Sequence, residues 1–139
     1  MKRSVLLAMG VVVTLQLASA QNPVPTYTDV DYVGDGDEKH FLDIYIPPGI
    51  SEPAPTVVFI HGGGWRSGSK STAMPHCRLL YEAGYVVVSI DYRLSQDSIF
   101  PAQIYDCKTA IRFLRTHAGE YLVDTCNIGV AGKSAGGHL

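Results

Sequence analysis

The hydrophobic pattern changes period along the chain, and each change marks an element. Residues 26–33, TYTDVDYV, alternate polar and apolar positions as a half-buried strand does. Gly34, Asp35, Gly36 and Asp37 supply a turn, and residues 40–47, HFLDIYIP, alternate again. Phe41, Asp43 and Tyr45 fall on one face of this second strand, Leu42, Ile44 and Ile46 on the other. The two segments predict an antiparallel hairpin.

Beyond the hairpin the alternation gives way to unbroken apolar runs. TVVFI at 56–60 and YVVVSI at 85–90 read as strands buried on both faces, and NIGVAG at 127–132 as a strand of small residues. Between them lie two helical stretches. Residues 71–83 predict a helix entered near Pro75 and closed by Gly84. In residues 101–117, Ile104, Cys107, Ile111 and Leu114 recur at intervals of three and four, predicting one buried stripe with Pro101 in the first turn and Asp106 and Lys108 on a solvated face. Strand and helix in alternation predict an α/β fold, a mostly parallel sheet with helices on both faces. No internal repeat or low-complexity tract interrupts it.

Two glycine-rich segments sit where such a sheet places chemistry. HGGGW, residues 61–65, leaves the carboxyl end of the 56–60 strand, the edge at which open α/β sheets bind ligands. GKSAGGHL, residues 132–139, follows the last strand, and Gly132 to Gly136 match the G-x-S-x-G nucleophile elbow in its strand-to-helix context. Gly132 and Gly136 remove bulk on both sides of the tight turn, and Ser134 is thrown out at the start of a helix. Glycines 62, 63 and 64 let the backbone turn N–H groups inward without side-chain obstruction. The donors for an oxyanion are then the N–H groups of Gly62, Gly63 and Ala135.

These segments, with DYRLS at 91–95 and FPAQIYDCKTAIRFLR at 100–115, resemble the α/β-hydrolase esterases of the hormone-sensitive-lipase and bacterial feruloyl or acetyl-xylan esterase type. The resemblance runs from about Val30 onward with the motifs in the family's order. It implies that Ser134 attacks an ester carbonyl, that Gly62, Gly63 and Ala135 hold the oxyanion, and that His61 braces the glycine loop rather than acting as base. Trp65 then borders the acyl pocket or packs at the loop edge. The implied partner is a small-molecule or polysaccharide-linked ester, with a lipase or exopeptidase of the same fold as alternatives. No cofactor or metal is implied, and none of the cysteines has metal-ligand spacing. Arg93 is expected to tie loops together through carboxylates.

The expected domain, residues 21–139, is a partial α/β-hydrolase unit with an N-terminal antiparallel hairpin, truncated after the nucleophile elbow. In this fold the carboxylate and histidine that activate the serine follow it in the chain, and after Ser134 only His138 is available. On the elbow helix His138 is expected to point away from the cavity mouth. His40, His76 and His117 read as surface residues. An inactive fragment is therefore the rival reading to a working esterase.

Composition adds location and partners. At 139 residues, 46% hydrophobic and 17% charged, the chain suits one soluble globular domain. Lys2 and Arg3, an apolar stretch over 4–17 and Ala18-Ser19-Ala20 predict a signal peptide over 1–20, hence a secreted or periplasmic protein without a stable membrane span after cleavage. An uncleaved anchor is the alternative, although the run falls short of the ~20 residues a spanning helix needs. Cleavage leaves 9 Lys and Arg (11 less Lys2 and Arg3) against 13 Asp and Glu, a net charge of −4. Such a chain offers no basic footprint for nucleic acid. Of Cys77, Cys107 and Cys126 at most two can pair; otherwise all three are small buried apolar residues.

Overall fold

Alternation sets the first two strands. In the computed structural model, which describes residues 21–139, β1 (Tyr27–Asp31) pairs antiparallel with β2 (Phe41–Tyr45), Val30 opposite Leu42. The signal-peptide reading of residues 1–20 lies outside the described residues. The turn is closed by a side chain: the Asp31 carboxylate accepts the N–H groups of Val33, Gly34 and Gly36 at 3.0, 2.7 and 2.8 Å. Those bonds hold its pKa below the usual carboxylate value. A single 3-10 turn, Glu38–His40, follows with Asp37 as its cap, a feature the strand pattern did not announce.

The apolar runs become β3 (Ala54–Ile60), β4 (Val86–Ile90) and β5 (Val123–Gly132). The sheet order is β1-β2-β4-β3-β5, with β4, β3 and β5 mutually parallel and the hairpin joined antiparallel through β2. The two crossovers carry α1 (Met74–Glu82), with Pro75 in its first turn, and α2 (Ala102–Thr116). Along β3 the period of two sends alternate residues to opposite faces. Val58 and Ile60 join Leu42, Ile44, Val88 and Ile90 against Cys107, Ala110 and Leu114 of α2, while Val57 and Phe59 join Tyr45 and Val87 against Met74 and Cys77 of α1. Each of these fully buried aliphatic side chains contributes about 1.5–3 kcal/mol. The pattern's mostly parallel α/β sheet with a helix on each face is observed, and it is the arrangement that the resemblance to α/β-hydrolases implied.

Several local readings are corrected. β5 begins four residues before Asn127, because Val123 pairs with Ala54 ahead of an irregularity that shifts the register to Thr56 opposite Ile128. On α2 the buried side is Ala102, Gln103, Asp106, Cys107, Ala110 and Leu114, whereas Ile104 and Ile111 are only partly buried. Asp106 is therefore not on a solvated face. It accepts the backbone N–H, Nε and Nη2 of Arg93 at 3.0, 2.9 and 2.6 Å, and this pairing lets a carboxylate be buried. Lys108 is exposed as expected.

His40 is also no surface residue. It is 6% exposed, with Nδ1 2.9 Å from Asp35 and Nε2 3.6 Å from Asp106. Both faces of β2 are covered, since Asp43 lies beneath Lys70 Nζ at 3.0 Å and accepts the Asp29 N–H. His76 and His117 are exposed. All three cysteines are free; Cys77 and Cys107 are buried and Cys126 is exposed, contrary to its reading as a buried residue. Burial pushes the Cys107 thiol up to about 12. Among the described residues no helix is long and apolar enough to cross a membrane.

Candidate active site

The site is assembled where β3 and β5 end side by side. Beyond Gly132 the chain turns sharply into α3 (Ala135–His138), with Ser134 at the bend in a left-handed conformation, φ 50° and ψ −116°. A non-glycine residue rarely takes this conformation, and such strain is sustained only where the surroundings fix it. Here they do. A Cβ on Gly132 would collide with the Gly136 carbonyl, and one on Gly136 with the carbonyl of Ile60. Lys133 N–H donates to Ile60 O at 3.2 Å, and Gly136 N–H returns to Lys133 O at 2.9 Å. The strand, the bend and the helix thus meet without side chains between them, and the Ser134 side chain is left at the surface.

The glycine loop lies directly against this bend. A Cβ on Gly62 would sit 2.7 Å from Lys133 O and 3.3 Å from Ser134 Cβ. Gly63 and Gly64 have φ of 129° and 61°, and Trp65 keeps a left-handed φ of 59°. The Gly63 carbonyl gathers Arg66 N–H, Ser67 N–H and Ser67 Oγ, each at 3.1 Å, which folds the loop into a tight turn. Its tip is tied down by Ser95 N–H to Trp65 O at 2.7 Å. The backbone N–H groups of Gly62, Gly63 and Ala135 find no acceptor among the described residues. An exposed hydroxyl beside unengaged N–H donors is an arrangement able to form an oxyanion and to hold it.

His61 is buried beneath the loop, 1% exposed, with Nδ1 2.8 Å from Gly62 O and its ring stacked on Tyr92 at 4.4 Å. Burial lowers its pKa below the ordinary histidine value, so the ring is neutral. No described histidine hydrogen-bonds Ser134. His76 stacks on Phe59 and lines, with Ser134, Lys133 and Cys77, a cavity of 430 Å³. His138, one helical turn on, sets its ring edge-on to Trp65 at 5.4 Å, and both line a cavity of 280 Å³ with Phe100 and Gln103 that Ser134 does not line. Trp65 and Ser134 therefore border different cavities.

Asp91 and Tyr92, the first two residues of DYRLS, lie against His61. Tyr92 Oη donates to His61 O at 2.9 Å, and Asp91 Oδ1 lies 3.6 Å from His61 Nε2. The signal was present in the strand runs: two adjacent parallel strands that end at the same level, Ile60 beside Ile90, bring the residues that follow them together. Among the described residues no group of His, Cys, Asp and Glu is placed to hold a metal ion.

The BD-FAE family model matches residues 42–139. Carboxylesterase NlhH of Mycobacterium tuberculosis is 41% identical over 97 residues, covering 69% of this chain and 30% of the relative. Among solved structures, the Bacteroides eggerthii protein described as bifunctional GH43-CE superposes with a TM-score of 0.77 at 43% identity, over 81% of this chain and 16% of that one. A truncated form of a carbohydrate esterase from gut microbiota gives 0.72 at 34% identity, over 85% and 44%. The chain thus spans less than a third of the length of the curated relative. The chain belongs to the BD-FAE family and has the α/β-hydrolase fold.

Proposed function

We propose that the protein hydrolyses carboxylic esters by acyl transfer through Ser134, with the N–H groups of Gly62, Gly63 and Ala135 as the oxyanion hole. The observation that carries this reading is the left-handed Ser134 packed against the Gly62 backbone, since a strained, exposed serine beside unengaged N–H donors has little other use. The Ser134 oxygen bonds to the ester carbonyl carbon and loses its proton. The carbonyl oxygen takes the negative charge, the alcohol departs with a proton, and water then cleaves the acyl-serine bond to release the acid. None of the described histidines bonds to Ser134, so the proton acceptor is assigned to none of them.

The substrate class we favour is an ester on a carbohydrate, such as an acetyl or feruloyl group. Two supports point there: the resemblance of the motifs to such esterases, and a structural relative described as a carbohydrate esterase. The test is labelling of the purified chain by a fluorophosphonate, with turnover of acetylated xylan and of p-nitrophenyl acetate measured in parallel. Ser134→Ala is expected to abolish labelling. A folded wild-type chain that is neither labelled nor active would overturn the reading, and activity on the aryl ester alone would overturn the carbohydrate preference.

A further inference from the structure

Gln103 stands in the first turn of α2 with 3% of its surface exposed, and the two ends of its amide are used unequally. Nε2 donates to Ser98 O at 2.7 Å. A carbonyl oxygen can only accept, so the amide nitrogen must take that position and Oε1 is the free end. Oε1 accepts no hydrogen bond among the described residues. A buried acceptor left without a donor is costly, and each such group calls for an explanation.

The cavity that Gln103 lines supplies one. It measures 280 Å³, and its other lining residues are Trp65, Ser95, Phe100, His138 and Leu139. Trp65 and Phe100 are 37% and 73% exposed, so they form the rim and the buried Gln103 the floor. Rim and floor are tied through one loop: Ser95 N–H donates to Trp65 O at 2.7 Å, Gln96 Nε2 to Arg66 O at 3.0 Å, and Gln103 holds Ser98. Size and polarity then select the occupant. A cavity of about 150 Å³ already holds benzene, so this one admits a substituted single ring. Its indole, phenyl and leucine side chains present apolar faces, and Gln103 presents an acceptor beneath them. A sugar ring brings several hydroxyls that each need a partner on burial, whereas a phenol brings a single one. His138 lies four residues beyond Ser134, about 6 Å along a helix, so a ring held here and a carbonyl at Ser134 are joined by a spacer of a few atoms.

We infer that Gln103 is a specificity-determining residue: its Oε1 accepts a hydrogen bond from the hydroxyl of an aryl ring of the ester substrate, seated against Trp65 and Phe100. Its link to catalysis rests on the reading of Ser134 as nucleophile; the binding itself does not. Trp65 is the single tryptophan of the chain, so its fluorescence reports occupancy. In the Ser134→Ala chain, methyl para-hydroxyphenylpropanoate is expected to quench it with a Kd about tenfold below that of methyl phenylpropanoate, the factor that one good hydrogen bond supplies. Gln103→Met keeps the length of the side chain and removes the acceptor oxygen. It is expected to erase that ratio by weakening the hydroxylated ligand alone.

Turnover by the chain with Ser134 intact shows which side of the ester carries the ring. Methyl para-hydroxyphenylpropanoate places it on the acyl side and para-hydroxyphenethyl acetate on the alcohol side. A kcat/KM about tenfold above that of the counterpart without the hydroxyl, in either pair, supports the role in catalysis, and a gain in neither overturns it. Equal affinities for the two propanoates with Gln103 intact overturn the inference. So does a Gln103→Met chain that loses both ligands alike, because Gln103 is then only a wall, and so does methyl xyloside bound more tightly than either ester. If no ester is turned over while the affinity ratio holds and Gln103→Met erases it, the nucleophile reading has failed and the aryl site stands.

Discussion

Replacing Asp106 by alanine tests most directly whether burial on α2 is organised by charge pairing. The carboxylate side chain is 4% exposed and receives three bonds from Arg93, whose own side chain is 32% exposed. A hydrogen bond to a charged group is worth about 1.5–3 kcal/mol when measured singly. The two from the guanidinium share one group that water reaches, and screening reduces their joint value to about 2 kcal/mol. The Arg93 N–H loses its acceptor as well, at about 1 kcal/mol. The sum, about 3 kcal/mol, corresponds to a fall in Tm on the order of 10 °C for a domain of this size. Urea unfolding followed by far-ultraviolet circular dichroism measures it, with Lys108→Ala on the same helix as the exposed control. If Asp106→Ala lies within about 0.5 kcal/mol of that control, the ordinary spread of surface changes, the pairing is not what holds the helix.

Two further outcomes are expected. Gly132→Ala should cost at least about 1–3 kcal/mol by thermal unfolding, since its methyl meets the Gly136 carbonyl, while Gly119→Ala, with nothing within 4 Å of its Cβ, should be close to neutral; equal effects would refute the tight elbow. Because burial depresses the folded pKa of His61, the unfolded chain takes up a proton below the ordinary value of 6.5 that the folded chain does not. Stability from this residue is complete well above that pH and is lost as pH falls through it toward the depressed folded value. Burial raises the Asp91 pKa, which opposes this slope at the acid end. Comparing urea midpoints of wild type and His61→Gln across that range isolates the contribution. Parallel pH profiles would show that His61 is not held neutral.

Strand and helix identity were legible because they follow from local period. Val57, Val58, Phe59 and Ile60 read as a strand covered on both faces, and both faces carry a helix. The glycines were legible for a similar reason, since a backbone that must come close to a neighbour leaves few other residues. What escaped were polar groups whose burial depends on distant partners. Asp106 is covered because Arg93 meets it, Asp43 because Lys70 lies over it, and His40 because Asp35 and Asp106 flank it. No period in the chain encodes those meetings. The start of β5 was missed because an irregular register separates Val123 from Ile128. Asp91 and Tyr92 lay between: the strand ends that bring them to His61 were readable, but the contacts were not.

The parallel pairing of Ile60 with Gly132 has a mechanical consequence. The glycine loop departs from one of these residues and the serine bend from the other, so their separation is inherited from adjacent strands about 4.8 Å apart rather than from the conformation of either loop. Loop motion can tilt the two halves without changing that interval. Slippage of the ladder by one residue would displace the serine by about 3.3 Å, well beyond the ~1 Å misplacement that already costs an enzyme about 10² in rate. The ladder acts as a ruler: from Thr56 opposite Ile128 to Ile60 opposite Gly132 its register sets where the serine bend stands beside the glycine loop.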